Sequence, residues 1–161
     1  MPRATISDVQ ELEIKGPWTT KSDAELSVLF GLNQKELDSF FNYDETELKK
    51  LSQDVRGLRM YRVSGLKNQA KGANEWHRVK KEIIFVTRGS VHWLLADADG
   101  NTKEYTLTPE SQGIIIPPFI LHAYTALEDD CEIIVITNTL FVVDDPGTHD
   151  FYEPSLLTKE S

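Results

Sequence analysis

Four polar side chains have the types and spacing to do acid–base or metal chemistry: Glu75, His77, Glu82 and His122. Glu75 and His77 are two apart, so an extended backbone turns both to one face. Glu82 opens the apolar run Ile83-Ile84-Phe85-Val86, and His122 follows Pro117-Pro118 inside a stretch of Phe, Ile, Leu, Ala and Tyr. An imidazole that titrates near neutrality can carry a proton, and a positioned donor can steady the oxyanion that proton removal creates. The same two carboxylates and two imidazoles suit Zn, Mn, Fe or Ni on ligand type. Burying two carboxylates with neither a cation nor donors costs on the order of several kcal/mol, which disfavours a purely structural role for all four.

Strands must bring these residues together, and the sequence from residue 58 onward is punctuated like an antiparallel barrel. Strands are expected at 58–64, 82–87, 90–97, 103–107, Gly113–Ile116, 121–127 and Cys131–Thr139. The pair Arg88-Gly89 and the tetrad from Asp97 to Gly100 supply turns, since Asp-Gly tolerates the positive φ that tight hairpins require. A barrel lets residues distant in sequence converge on one interior point. The first 57 residues are less regular. Residues 4–15 alternate loosely and could form a strand, and 23–32 carry Leu26, Val28 and Phe30 at strand spacing. Leu37, Phe40, Phe41, Leu48 and Leu51 then recur at helical spacing, which predicts a helical stretch over 34–53, broken near Asn42-Tyr43-Asp44 and closed before Gly57. The expected division is an N-terminal strand and helix extension over 1–57, a barrel over 58–143 and a tail over 144–161, all one domain.

Composition narrows the function. At 161 residues and 40% hydrophobic, the chain can bury one core. Its net charge of −9 disfavours nucleic-acid binding. No apolar run approaches the roughly 20 residues a membrane span needs, and no signal segment opens the sequence. The lone Cys131 cannot form an internal disulfide, so the expected location is the cytoplasm.

The pattern resembles the cupin superfamily, whose first motif reads G-x5-H-x-H-x3,4-E-x6-G. Here Glu75-x-His77-x4-Glu82-x6-Gly89 keeps that spacing, with Glu75 at the first histidine. The second motif, P-x-G-x2-H, is matched by Pro117 and His122, with Phe119 in place of the glycine and Ala126 in place of the asparagine that follows. The resemblance covers roughly residues 58–143. It implies a mainly β fold, the cupin double-stranded β-helix or jelly-roll barrel, carrying an N-terminal strand and helical segment. It also implies that Glu75, His77, Glu82 and His122 would be the ligands if a divalent metal is bound.

A narrower resemblance bears on activity. The stretch from Arg59 to Gly65, then Asn74 to Glu82, is similar to cupin-fold nucleotide-sugar enzymes: the 3,4-ketoisomerases of dTDP-4-keto-6-deoxyhexoses and the 3,5-epimerases of the rhamnose pathway. The ketoisomerase pattern R-G-x-H-A-H-K-x3-Q places Glu75 at the first His, His77 at the second, Arg78 at the Lys and Glu82 at the Gln. The segments 116–122, 134–141 and 144–152 look like the closing portion of that group. The resemblance implies enolisation beside a ketone, with His77 or Glu75 as base and His122 or Tyr124 as donor. Arg59, Arg62 and Arg78 would hold a pyrophosphate through paired contacts. Two other classes stand beside it: a metal-dependent cupin, either a dioxygenase or a sugar-phosphate isomerase, and a non-catalytic cupin binding a small acid or sugar.

Other residues are read more plainly. His92 is a strand packing residue, His149 a solvent-exposed tail residue, and Trp76 points away from the ligand face. Residues 67–72 form a mobile rim, and Cys131 has no base nearby to make it a nucleophile. An exposed barrel edge invites pairing, and closed two-fold assembly is the common solution, so a homodimer is expected, with the tail wrapping the barrel or a partner.

Overall fold

A computed structural model describes residues 3–141, with the backbone of residues 150 and 151. In chain order the elements are β1 (Gln10–Leu12), β2 (Lys15–Thr19), β3 (Glu25–Val28), α1 (Gln34–Phe40), α2 (Glu45–Leu48), β4 (Arg56–Leu66), β5 (Lys71–Trp76) and β6 (Glu82–Arg88). There follow β7 (Val91–Ala96), β8 (Thr102–Leu107), β9 (Gly113–Ile116), β10 (Leu121–Ala126), β11 (Cys131–Thr139) and β12 (Asp150–Phe151). One five-stranded sheet runs β1-β9-β6-β11-β4, a second runs β12-β5-β10-β7-β8, and β2 and β3 form a separate hairpin. All pairings are antiparallel. The result is the expected cupin jelly roll.

The inner faces of both sheets meet in one core. Ile84 and Val86 of β6 pack there with Val91, Trp93 and Leu95 of β7, Ile114 of β9 and Ile133 and Val135 of β11. The first sheet is covered on its outer face too, where Ile83, Phe85 and Ile115 meet Leu12 and Phe40. Burial on both faces explains why β6 and β9 read as unbroken apolar runs. In contrast, β7 alternates: Val91, Trp93 and Leu95 are buried, while His92 and Leu94 are only partly so.

The helical stretch breaks where the sequence expects. Asn33 caps α1, its side chain accepting from Glu36 N–H at 2.9 Å, and Asp44 caps α2 by accepting from Thr46 N–H at 2.9 Å. Each cap takes up a donor that a helix start leaves unpaired.

Two expectations change. Residues 10–12 pair with Gly113, Ile114 and Ile115, so the N-terminal segment supplies an edge strand of the barrel sheet itself. Lys71 and Gly72, read as part of a mobile rim, begin β5 and pair with Tyr124 and Thr125 of β10. Gly72 belongs there because a Cβ at this position would collide with the Tyr124 phenol. Of the tail, the described part is β12, which adds to β5 of the same chain; His149 lies outside the described residues.

Candidate active site

Glu75 is the penultimate residue of β5, His77 follows that strand, Glu82 begins β6 and His122 lies in β10, directly across the ladder from Glu75. Their ligand atoms lie within 4.8 Å of one another. His77 Nε2 is 3.5 Å from Glu75 Oε1 and 3.3 Å from Glu82 Oε1. His122 Nε2 is 3.0 Å from Glu82 Oε2. The side chains of His77, Glu82 and His122 are 2–3% exposed, against 21% for Glu75, so a ligand would meet Glu75 first.

Local backbone chemistry sets these positions. Ala73 and Asn74 both take left-handed φ, 60° and 64°, and the ladder with β10 slips at His122/Ala123. Non-glycine residues adopt this region at a cost, and such strain gathers where structure must aim a side chain. Phe119, standing at the glycine of the second cupin motif, also has positive φ, 66°. It is held by its N–H donating to the His77 carbonyl at 2.8 Å and by its ring contact with Trp76, 5.2 Å between centroids. Trp76 thus packs away from the cluster, as expected.

A second network anchors the segment before Glu82. Asn138, buried in β11, donates from Nδ2 to the Phe40 carbonyl at 2.9 Å and accepts the Lys81 N–H at 2.8 Å. Tyr43 donates to the Asn138 carbonyl at 2.6 Å. Lys81 turns outward, its ammonium donating to the carbonyls of Ser39 and Asn42 at the end of α1.

The electrostatics are those of a coupled site. Burial pushes Glu75 up, but the hydrogen bond and charge of His77, with the charge of His122, hold it down to about 2. Burial likewise opposes the charge on Glu82, and His122 and Lys80 outweigh it, so this carboxyl stays well below the usual range. His77 is raised: burial disfavours its cation, but hydrogen bonds to Glu75 and Glu82 win. Tyr61 of β4 is raised by burial and by the charges of Glu82 and Glu75, and Tyr124 by burial and Glu75. Both phenols therefore stay protonated and can donate.

The residues suggested for phosphate binding separate. Arg59 shares the inward face of β4 with Tyr61, its guanidinium 5.0 Å from that ring and 5.1 Å from Phe141. Arg62 is exposed on the opposite face, beside outward-facing Met60, because strand alternation separates it from Tyr61; it points away from the cluster, contrary to the expectation. Arg78 lies outside the cluster over Trp76, 5.2 Å from the ring and 3.8 Å from Glu47. His92 lies on the outer face of β7, 3.3 Å from Glu104. Sequence reasoning missed Tyr61 and Lys80. Their signals were the alternation of β4 and the two-residue step from Lys80 to Glu82.

The donor set fits a divalent ion. His122 Nδ1 donates to the Ile120 carbonyl at 3.0 Å, which orients the ring so that Nε2 faces the Glu82 carboxylate. Two acceptors 3.0 Å apart need a cation or a proton between them. His122 Nε2 faces Glu82 Oε2 at 3.0 Å, and Glu82 Oε1 already has the Lys80 ammonium at 3.0 Å. Bonds of about 2.0–2.2 Å to a shared ion would place ligand atoms at such spacings.

Residues 42–153 match the family model described as FdtA: WxcM-like, C-terminal. No curated protein matches the sequence. Among solved structures, the 3,4-ketoisomerase QdtA from Thermoanaerobacterium thermosaccharolyticum, in complex with TDP-4-keto-6-deoxyglucose, is similar at a TM-score of 0.63 and 15% identity, with 96% of this chain and 94% of that one covered. The TDP-fucose-3,4-ketoisomerase WlaRA from Campylobacter jejuni gives 0.63 and 16%, over 96% of each chain. A dTDP-4-dehydrorhamnose 3,5-epimerase from Bacillus anthracis, with TDP and PPi bound, gives 0.62 and 12%, over 89% of this chain and 82% of that one. At these identities the structures share the cupin fold with this protein. The family match takes in β4 to β11 and every member of the cluster, and by it the protein belongs to the WxcM-like, C-terminal family.

Proposed function

We propose that the protein is an isomerase or epimerase that enolises a nucleotide-linked 4-keto-6-deoxy sugar. The observation that carries this reading is His77, buried, with its Nε2 held between two carboxylates. His77 Nε2 takes the acidic proton from the carbon beside the ketone, and Glu75 and Glu82 hold the imidazolium. The C–H electron pair moves onto the carbonyl oxygen as an enolate, which accepts from a protonated phenol, Tyr124 or Tyr61. In ketoisomerisation His77 then returns the proton to the carbon that bore the ketone, once the enediol proton has shifted; in epimerisation a second donor on the opposite face, Tyr124 or Tyr61, protonates the same carbon and His77 keeps the proton it took. Arg59, on the inward face, is placed to meet the diphosphate. Support for the substrate class comes from the nucleotide sugar and TDP named for the similar structures.

A second reading is favoured by the convergence of four ligand atoms within 4.8 Å: Glu75, His77, Glu82 and His122 would hold Zn, Mn, Fe or Ni. Such an ion would polarise a ligand oxygen as a Lewis acid.

The test is turnover of TDP-4-keto-6-deoxyglucose in heavy water, after elemental analysis of protein purified without chelator. The expected result is product carrying deuterium at the carbon beside the ketone, in protein with less than one-tenth equivalent of metal. Absence of turnover overturns the enolising reading, and stoichiometric metal moves the assignment to the second.

A further inference from the structure

Lysine belongs at surfaces, and a buried one surrenders both hydration and the freedom of a four-carbon stem. Two lysines precede Glu82, and the fold treats them oppositely. Lys81 points outward to the end of α1. Lys80 is 3% exposed, and its ammonium lies 3.0 Å from Glu82 Oε1. The two-residue step from Lys80 to Glu82 on an extended approach puts both side chains on the inner face. Glu82 Oε1 is thus shared between Lys80 and His77, while Oε2 faces His122.

We propose that Lys80 is the resident cation of the site: a positioning residue that holds the Glu82 carboxylate between His77 and His122 and opposes divalent metal at that carboxylate. Two observations carry this. Glu82 is the one member of the cluster within 4 Å of both imidazoles, so any ion binding the four residues must approach Glu82. The ammonium already lies on the same carboxylate, where it repels a second cation at short range in a poorly hydrated interior. The charge that a metal-bound barrel would draw from its ion is here supplied by the chain. The inference deepens the metal-free enolising reading and rests on it for its biological sense, but its test reads metal affinity and not turnover.

The probe is cobalt(II), followed by its visible absorption and by calorimetry on the full chain. Lys80→Met and Lys80→Gln remove the charge, and each is expected to bind cobalt at least tenfold more tightly than the wild type. Lys80→Arg keeps the charge and is expected to bind as weakly as the wild type. Adding His122→Ala to Lys80→Met should abolish the gain, which places the ion in the cluster. Equal or weaker binding in both neutral variants overturns the proposal, as does a gain that survives His122→Ala. If neither neutral variant folds alone but both fold when cobalt is supplied, the metal has replaced the ammonium and the proposal stands. If neither folds under any condition, Lys80 is a structural residue only and the proposal falls. Tighter cobalt binding in the neutral variants alongside a wild type inert toward keto sugars would retain Lys80's role and discard the enolising reading.

Discussion

The two ends of one strand, β6, behave as different materials. At its start Glu82 is surrounded by Lys80, His77 and His122, whereas two and four residues later Ile84 and Val86 pack into the apolar core on the same inner face. The apolar end gains stability from area removed from water and from close packing, terms that are non-directional and insensitive to pH. The polar end is buried at a cost, and its members are kept charged by one another. One end of the barrel thus supplies the stability against which the other can hold a coupled, strained site.

The largest effects should separate the two ends outright. His77→Ala should lower the turnover of folded protein by about 10²–10⁴, the usual range for loss of a general base. Ile84→Ala should leave the turnover of folded protein near normal while costing about 2–5 kcal/mol of stability by denaturant titration. Turnover loss without stability loss at Ile84, or the reverse at His77, would break the comparison.

An intermediate effect is the response to pH. Glu75 and Glu82 are depressed in the folded state, so their stabilisation is present above the unfolded carboxyl value of about 4.3 and is lost as pH falls, through about 2 for Glu75. His77 is raised, so its stabilisation is complete below the unfolded value of about 6.5 and is lost as pH climbs through its folded value. Denaturant titrations should therefore show the site's contribution greatest between those limits and declining on the alkaline side. Turnover should move the other way there, rising as His77 loses its proton and becomes a base. His77→Gln should remove the alkaline decline in stability, whereas Ile84→Ala should leave it in place.

The smallest effect sharpens the comparison across a single strand. Arg62→Ala, on the exposed face of β4, should change stability by no more than about 0.5 kcal/mol and leave the KM for a nucleotide sugar unchanged. Arg59→Ala, one turn of the pleat away on the inner face, should raise that KM. Equal effects of the two would mean that the face of β4 does not govern binding.

Much of this was legible before any coordinates. The bounds of β9 and β11 and the helix break before Asp44 follow from alternation, capping and spacing, which are local properties of a chain, whereas the convergence of Glu75, His77, Glu82 and His122 is what the resemblance to the cupin motifs implies. Tyr61 was passed over because the alternation in Arg59-Met60-Tyr61-Arg62 marks two faces without fixing which of them turns inward. That is fixed only when Met60 pairs with Ile136 and Tyr61 with Val135 of β11. The same ambiguity hid Lys80 behind Lys81.

Sequence alone therefore determined which residues can carry chemistry here and that strands would present them, since residue type and period are written in order along the chain. Tertiary structure decided which arginine and which lysine face the site, that Leu12 closes a sheet against Gly113, and that two consecutive left-handed residues precede Glu75. Those choices depend on pairing across long stretches of chain. A one-residue slip would exchange the two faces of a strand at no cost in local propensity, and only the partner strand penalises it.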